Sequence, residues 1–278
     1  MKNILKIMLM MITIFTIAGS AVYAAEIPVS DQDQLITSSD WTEISNLQDE
    51  MKKEEPDATI DYDKALKVYV DCNLIKLQTA DTKKLTSALE SANYVWVIPF
   101  KMEKTYGMFT VAKGLPLSEE AKSVLTKAEQ EEVKNHAGKW MITETAEHTV
   151  EPYYDILLEK REALSDCTRV VLVGSQPGMR QPVALGMDDE TARVWISLGY
   201  QYPVMEKIPE TQNVESGVYS FDSVAEISDT YIEDSEVSTG AGVQSRSSMK
   251  YVAGIGIIVI GSIIILSVLK KKKLEDYE

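Results

Sequence analysis

The sequence predicts an α+β fold: a single extracytoplasmic domain with an antiparallel or mixed sheet, followed by one C-terminal transmembrane helix. Two observations predict it. The stretches SALESANYVWVIPF and REALSDCTRVVLVG each run from a helical pattern into an apolar strand, and a turn and second strand follow each. Further on, Tyr251 to Leu269 carries no charge and ends against Lys270, Lys271, Lys272 and Lys273. About 20 apolar residues suffice for a helix to cross a bilayer core, and flanking lysines stop transfer on the cytoplasmic side.

The order of segments follows from these ends. Lys2 and Lys6 precede the apolar stretch Ile7 to Ile17, and small residues follow up to Ala24, the pattern of a secretory leader over 1–24. The mature domain is expected over 25–204, an acidic stalk over 205–250, the span over 251–269 and a cytoplasmic tail over 270–278. The C-terminus is thereby placed in the cytoplasm and the N-terminus outside. A lipid-anchor signal would end in its hydrophobic segment, whereas this chain continues to LEDYE. EVSTG at 236–240 lacks the leucine and proline of the LPxTG sorting signal, and no two glycines of the span are four apart, so GxxxG pairing is absent.

Within the domain, Asp40 stands where a helix cap would, with Glu43 three residues on, and Trp41, Ile44, Leu47 and Met51 recur at helical spacing until Pro56. ALKVYVD predicts a strand at Leu66 to Asp71. Asp81 precedes Leu85, Ala88, Leu89 and Ala92, one face of an amphipathic helix. YVWVIPF is a buried strand, and MFTVA after Gly107 is its partner. Ser118 with Glu119 and Glu120 opens a helix to about Asn135, stopped by Gly138. KWMITET follows as a strand, Pro152 opens a helix carrying Tyr153, Ile156, Leu157 and Leu164, and RVVLVG is a second buried strand. QPVALGM and TARVWIS continue as strands either side of Asp188 and Asp189. The recurrence of strand, helix, strand, strand predicts two β-α-β-β units. Past Val204 the chain turns acidic: Glu215, Asp222, Glu226, Asp229, Glu233, Asp234 and Glu236 face only Arg246 and Lys250 between 211 and 250. Such a segment is expected to be disordered, holding the domain on the order of 35 Å from the bilayer.

Charge and residue types then limit function. Positions 25 to 250 hold 22 basic and 40 acidic residues, a formal charge of −18, which argues against nucleic acid or an anionic membrane surface as partner. Cys72 and Cys167 are both exported, so either they form a disulfide closing a loop of roughly 95 residues, worth about 4–5 kcal/mol, or they are two buried thiols. His136 falls in the last turn of a helix, where its charge complements the dipole, and His148 in a polar loop. GSQPG at 174–178 has its serine one place too early for a nucleophile elbow and reads as a turn. The acidic groups Asp57, Asp61, Asp63 and Asp188, Asp189, Glu190 do not follow a calcium-loop pattern. Tyr153, Tyr154, Tyr200 and Tyr202 suit either a recognition surface or a core. No catalytic, cofactor-binding or metal-ligating residue is nominated, and no cofactor is expected. The reading is a single-pass surface protein whose domain is a non-catalytic binding or accessory module for another exported or membrane protein. The alternatives are an extracytoplasmic hydrolase using carboxylates and a small-ligand or ion sensor acting through a membrane partner.

Overall fold

A computed structural model describes residues 27–228 apart from 149, 175, 180, 201 and 210–212. The expected leader at 1–24, the expected span at 251–269, Lys270 to Lys273 and the expected tail lie outside the described residues. Among the described residues no helix is long and apolar enough to cross a membrane.

Ten strands form one sheet: β1 (Thr59–Ile60), β2 (Leu66–Tyr69), β3 (Tyr94–Lys101), β4 (Tyr106–Lys113), β5 (Trp140–His148), β6 (Arg169–Val173), β7 (Val183–Met187), β8 (Ala192–Ile196), β9 (Asn213–Glu215) and β10 (Val218–Ser220). Their order is β5-β4-β3-β2-β6-β7-β8-β10-β9, with β1 paired to β3. Every pairing is antiparallel except β2 with β6. The fold is therefore mixed α+β on a large, mostly antiparallel sheet.

That one parallel contact is short, matching only Val68 to Leu172 and Tyr69 to Val173. Beside it the N-terminal segment fills the seam: the carbonyl of Pro28 accepts from the amide of Val170 at 2.7 Å, and the amide of Leu35 donates to Ala65 at 3.2 Å. Gln34 also bridges to Leu66. The first described residues thus join two half-sheets that hold each other weakly.

Side chains alternate across a strand, so the sheet buries both faces. One face carries Tyr69, Val171, Val173, Val183, Leu185 and Trp195, under Leu85 and Leu89 of the helix α3 (Thr82–Glu90). The same face continues through Trp96, Ile98, Phe109 and Val111 beneath Ile44 and Met51 of α1 (Trp41–Ile44) and α2 (Gln48–Glu54). The other face holds Val68, Val97, Met108, Leu172 and Ile196 against Tyr153 and Leu157 of α6 (Tyr153–Glu159). Between β4 and β5 lie α4 (Glu119–Val124) and α5 (Lys127–His136), and residues 221–228 form α7, the last helix among the described residues.

Several expectations need correction. The helix predicted from Trp41 to Pro56 is interrupted by a tighter turn at Ser45–Leu47, and Asp40 makes no side-chain cap because its carboxylate is bound by the sheet. The helix predicted from Ser118 breaks at Leu125, where Thr126 and Glu129 form a capping box that starts a new one. Leu164 lies beyond the end of α6, yet is buried. The order strand, helix, strand, strand does occur twice along the chain, but the two runs are placed differently: β2 neighbours β3, whereas β5 sits at the edge with three strands between it and β6. The domain also continues past 204. Met205, Ile208, Val218, Phe221 and Val224 are buried, β10 pairs with β8, and Phe221 stacks on Trp195 at 5.8 Å. The polar average over this stretch concealed a few apolar residues spaced to reach the core.

Candidate functional site

The most concentrated polar chemistry lies on the first face, beside the sheet seam. Lys67 and Tyr69 point there from β2, Arg169 from β6, and Asp33 arrives from the short turn Asp31–Asp33 at 2% exposure. Arg169 approaches one Asp33 carboxylate oxygen through Nη2 at 2.8 Å and Nε at 3.3 Å, and Ser30 donates to it at 2.7 Å. Tyr69 donates to the other oxygen at 2.8 Å, and Lys67 Nζ stands 3.7 Å from it. The Lys67 ammonium lies 4.5 Å from the Tyr94 ring centre and 5.2 Å from that of Trp96. Asp40 then accepts from Tyr94 Oη at 2.8 Å and Trp96 Nε1 at 3.0 Å.

Two carboxylates and two cations therefore share one largely buried layer, partnered by one another and by aromatic rings and hydroxyls. Burial lowers the Lys67 pKa, against the pull of Asp33 and Asp40. Burial also raises the phenols of Tyr69 and Tyr94, aided by Asp33 and Asp40 respectively. This network binds the N-terminal segment to the sheet. None of Asp33, Lys67, Tyr69 or Arg169 was singled out from sequence; the available signal was a lysine inside the apolar strand ALKVYV.

A second cluster lies on the opposite face. His148 ends β5 rather than occupying a loop, and its Nδ1 lies 3.2 Å from Tyr200 Oη, which lies 3.4 Å from Tyr153 Oη. The rings of Tyr200 and Tyr202 are 6.5 Å apart, and Tyr202 donates to the carbonyl of Pro182. Five strands separate β5 from β8 in the sheet order, and the segment that follows β8 carries Tyr200 to His148. Burial lowers the His148 pKa, partly offset by Glu144. The structure thus joins Tyr153 and Tyr200 to His148 and sets Tyr202 beside Tyr200 in the first-face core, while Tyr154 packs at the margin of the second-face cluster.

The remaining sequence candidates lie outside these two clusters. Cys72 is buried on the first face and Cys167 on the second, both as free thiols, so the sheet itself separates the pair for which a disulfide was one alternative. Burial pushes the Cys72 thiol up to about 12 and the Cys167 thiol up to about 11, which leaves both as thiols at neutral pH. Gln176 of GSQPG donates to the carbonyls of Cys72 at 2.6 Å and Gly174 at 3.0 Å and accepts from the amide of Leu74. Asp188 accepts from the amides of Glu190 and Thr191 in the β7–β8 turn, and Asp61 pairs with Lys64 at 3.7 Å. His136 is exposed in the last turn of α5. Among the described residues no group of three or more His, Cys, Asp or Glu is arranged to hold a metal ion.

No family model, curated protein or solved structure matches this chain. Its own geometry is left to indicate a use, and one element is not explained by the needs of the fold. Antiparallel neighbours such as β4 and β5 can be joined by two residues, and here residues 114–139 intervene. Gly114 and Lys139 close the insertion through a 2.9 Å backbone bond, and Gly138 adopts a φ of 76°, favourable to glycine, to leave α5. Among the described residues of α4 and α5 only Ala121 is buried, while Val124 is 67% exposed and Leu115, just before α4, is 44% exposed. Short helices draw most of their stability from a packed apolar face, so this lobe presents apolar surface that the domain does not cover.

Proposed function

We propose that the protein is a single-pass, membrane-anchored surface module that binds another exported or membrane protein without catalysing a reaction, and that the lobe at 114–139 is its contact surface. The lobe is the observation that carries this reading. It projects from adjacent strands that need no such connection, and it leaves Leu115 and Val124 in solvent. Exposed apolar side chains rimmed by charge are a common form of protein-binding surface, and Lys122, Lys127, Glu131 and Lys134 supply that rim. A leader at 1–24 and a span at 251–269 would hold the module outside the cell, with Lys270 to Lys273 retaining the C-terminus in the cytoplasm.

The test is cross-linked affinity capture of the tagged full-length protein from its native membranes, beside a variant whose residues 115–138 are replaced by an Asn-Gly turn. A partner held by the parent and lost by the variant supports the reading. Identical capture by both excludes the lobe as the contact.

A further inference from the structure

The two sheet edges are treated unequally. The edge strand β9 has three residues and an irregular register against β10. The other edge, β5, runs for nine residues, and among the described residues only β4 pairs with it. Beyond the register shift at Thr110/Val111 its ladder is regular from Glu144 to His148, against Thr110 to Tyr106. An edge of that length displays a row of backbone donors and acceptors suited to one more strand.

We propose that β5 is a strand-addition site for an extended segment of the partner protein bearing lysine or arginine. The proposal rests on the binding-module reading and names the chemistry of the partner. Glu144 and Glu147 are the exposed residues of this strand, and their odd spacing puts one on each face of the sheet. A second copy of β5 added antiparallel at full overlap would set Glu144 opposite Glu144 on the same face of the sheet. Like charges directly opposite destabilise a strand pair, and opposite charges stabilise it by about 0.2–1 kcal/mol each. The edge thereby disfavours its own copy at full overlap and favours a basic strand, one cation on each side.

Hydrogen exchange on the full-length protein tests this with a probe of stated composition. The probe is a short valine–threonine peptide with two lysines three positions apart; its control carries glutamates there. Exchange of the amides between 144 and 148 should slow with the lysine peptide, at a concentration about tenfold below that needed for the glutamate peptide. The E144K/E147K variant should reverse the preference. Equal protection by both peptides, or protection by neither, overturns the proposal. Failure of the module reading would be seen separately, as capture of no partner by the tagged full-length protein.

Discussion

Asp33 is the residue on which most depends. It compensates Arg169 directly and Lys67 at longer range, both largely buried, and removing one partner of a buried pair costs about 3–5 kcal/mol because the other charge is left unmatched. Asp33→Ala should therefore lower unfolding free energy by that amount in a urea titration. Asp31→Ala, altering an exposed neighbour, should change it by less than about 0.5 kcal/mol. His148 gives a pH dependence of known sign. Its folded pKa lies below 6.5, so the unfolded chain binds more protons as pH falls, and stability present above pH 6.5 is lost on acidification. Thermal melts between pH 7.5 and 5 should show that slope, and His148→Gln should reduce it. Gly107 is a subtler case. It lies inside β4 rather than before it, and an added Cβ would come 2.1 Å from the Phe100 ring, so glycine is kept there by an aromatic ring laid across it.

Elements differ in how far their sequence alone specified them. Asp81 caps α3 as its spacing predicts, accepting from the amides of Lys83 at 3.0 Å and Lys84 at 3.2 Å, and Ser118 caps α4 through Ala121. Caps and alternation are local, so they are legible. Asp40 shows the limit: it has the type and position of a cap, yet Tyr94 and Trp96, more than 50 residues away in the chain, claim its carboxylate. The insertion at 114–139 can be tested as an element. Because Ala121 is the one buried residue among its described helical positions, exchanging 115–138 for Asn-Gly should leave the domain folded, with stability changed by about 1 kcal/mol or less. A cooperative melt close to that of the parent is the expected result, and loss of folding would show that the lobe supports the core.

At the scale of the whole molecule the decisive feature is the seam between β2 and β6. Only two residue pairs join the half-sheets there, and the N-terminal segment with its Asp33 network completes the joint. The C-terminal part of the domain closes the opposite end, where Val218, Phe221 and Val224 bury against β8. Each large apolar side chain contributes about 1.5–3 kcal/mol on burial, so a soluble chain ending at 204 loses an amount comparable to the whole stability of a domain. Secreted versions ending at 204 and at 228 should differ sharply: the longer should show cooperative unfolding and the shorter should not.

The sequence by itself determined the mixed α+β class, the buried strands YVWVIPF and RVVLVG, and the helix start at Asp81, because these rest on alternation, periodicity and capping within a few residues. Only the tertiary structure decided which strands are neighbours, that Cys72 and Cys167 lie on opposite faces, that the domain continues past 204, and that Asp33, Lys67, Tyr69 and Arg169 form one network. Those four residues are up to 136 positions apart. A contact of that separation leaves no local pattern in the chain; it exists only once the sheet has brought its strands together.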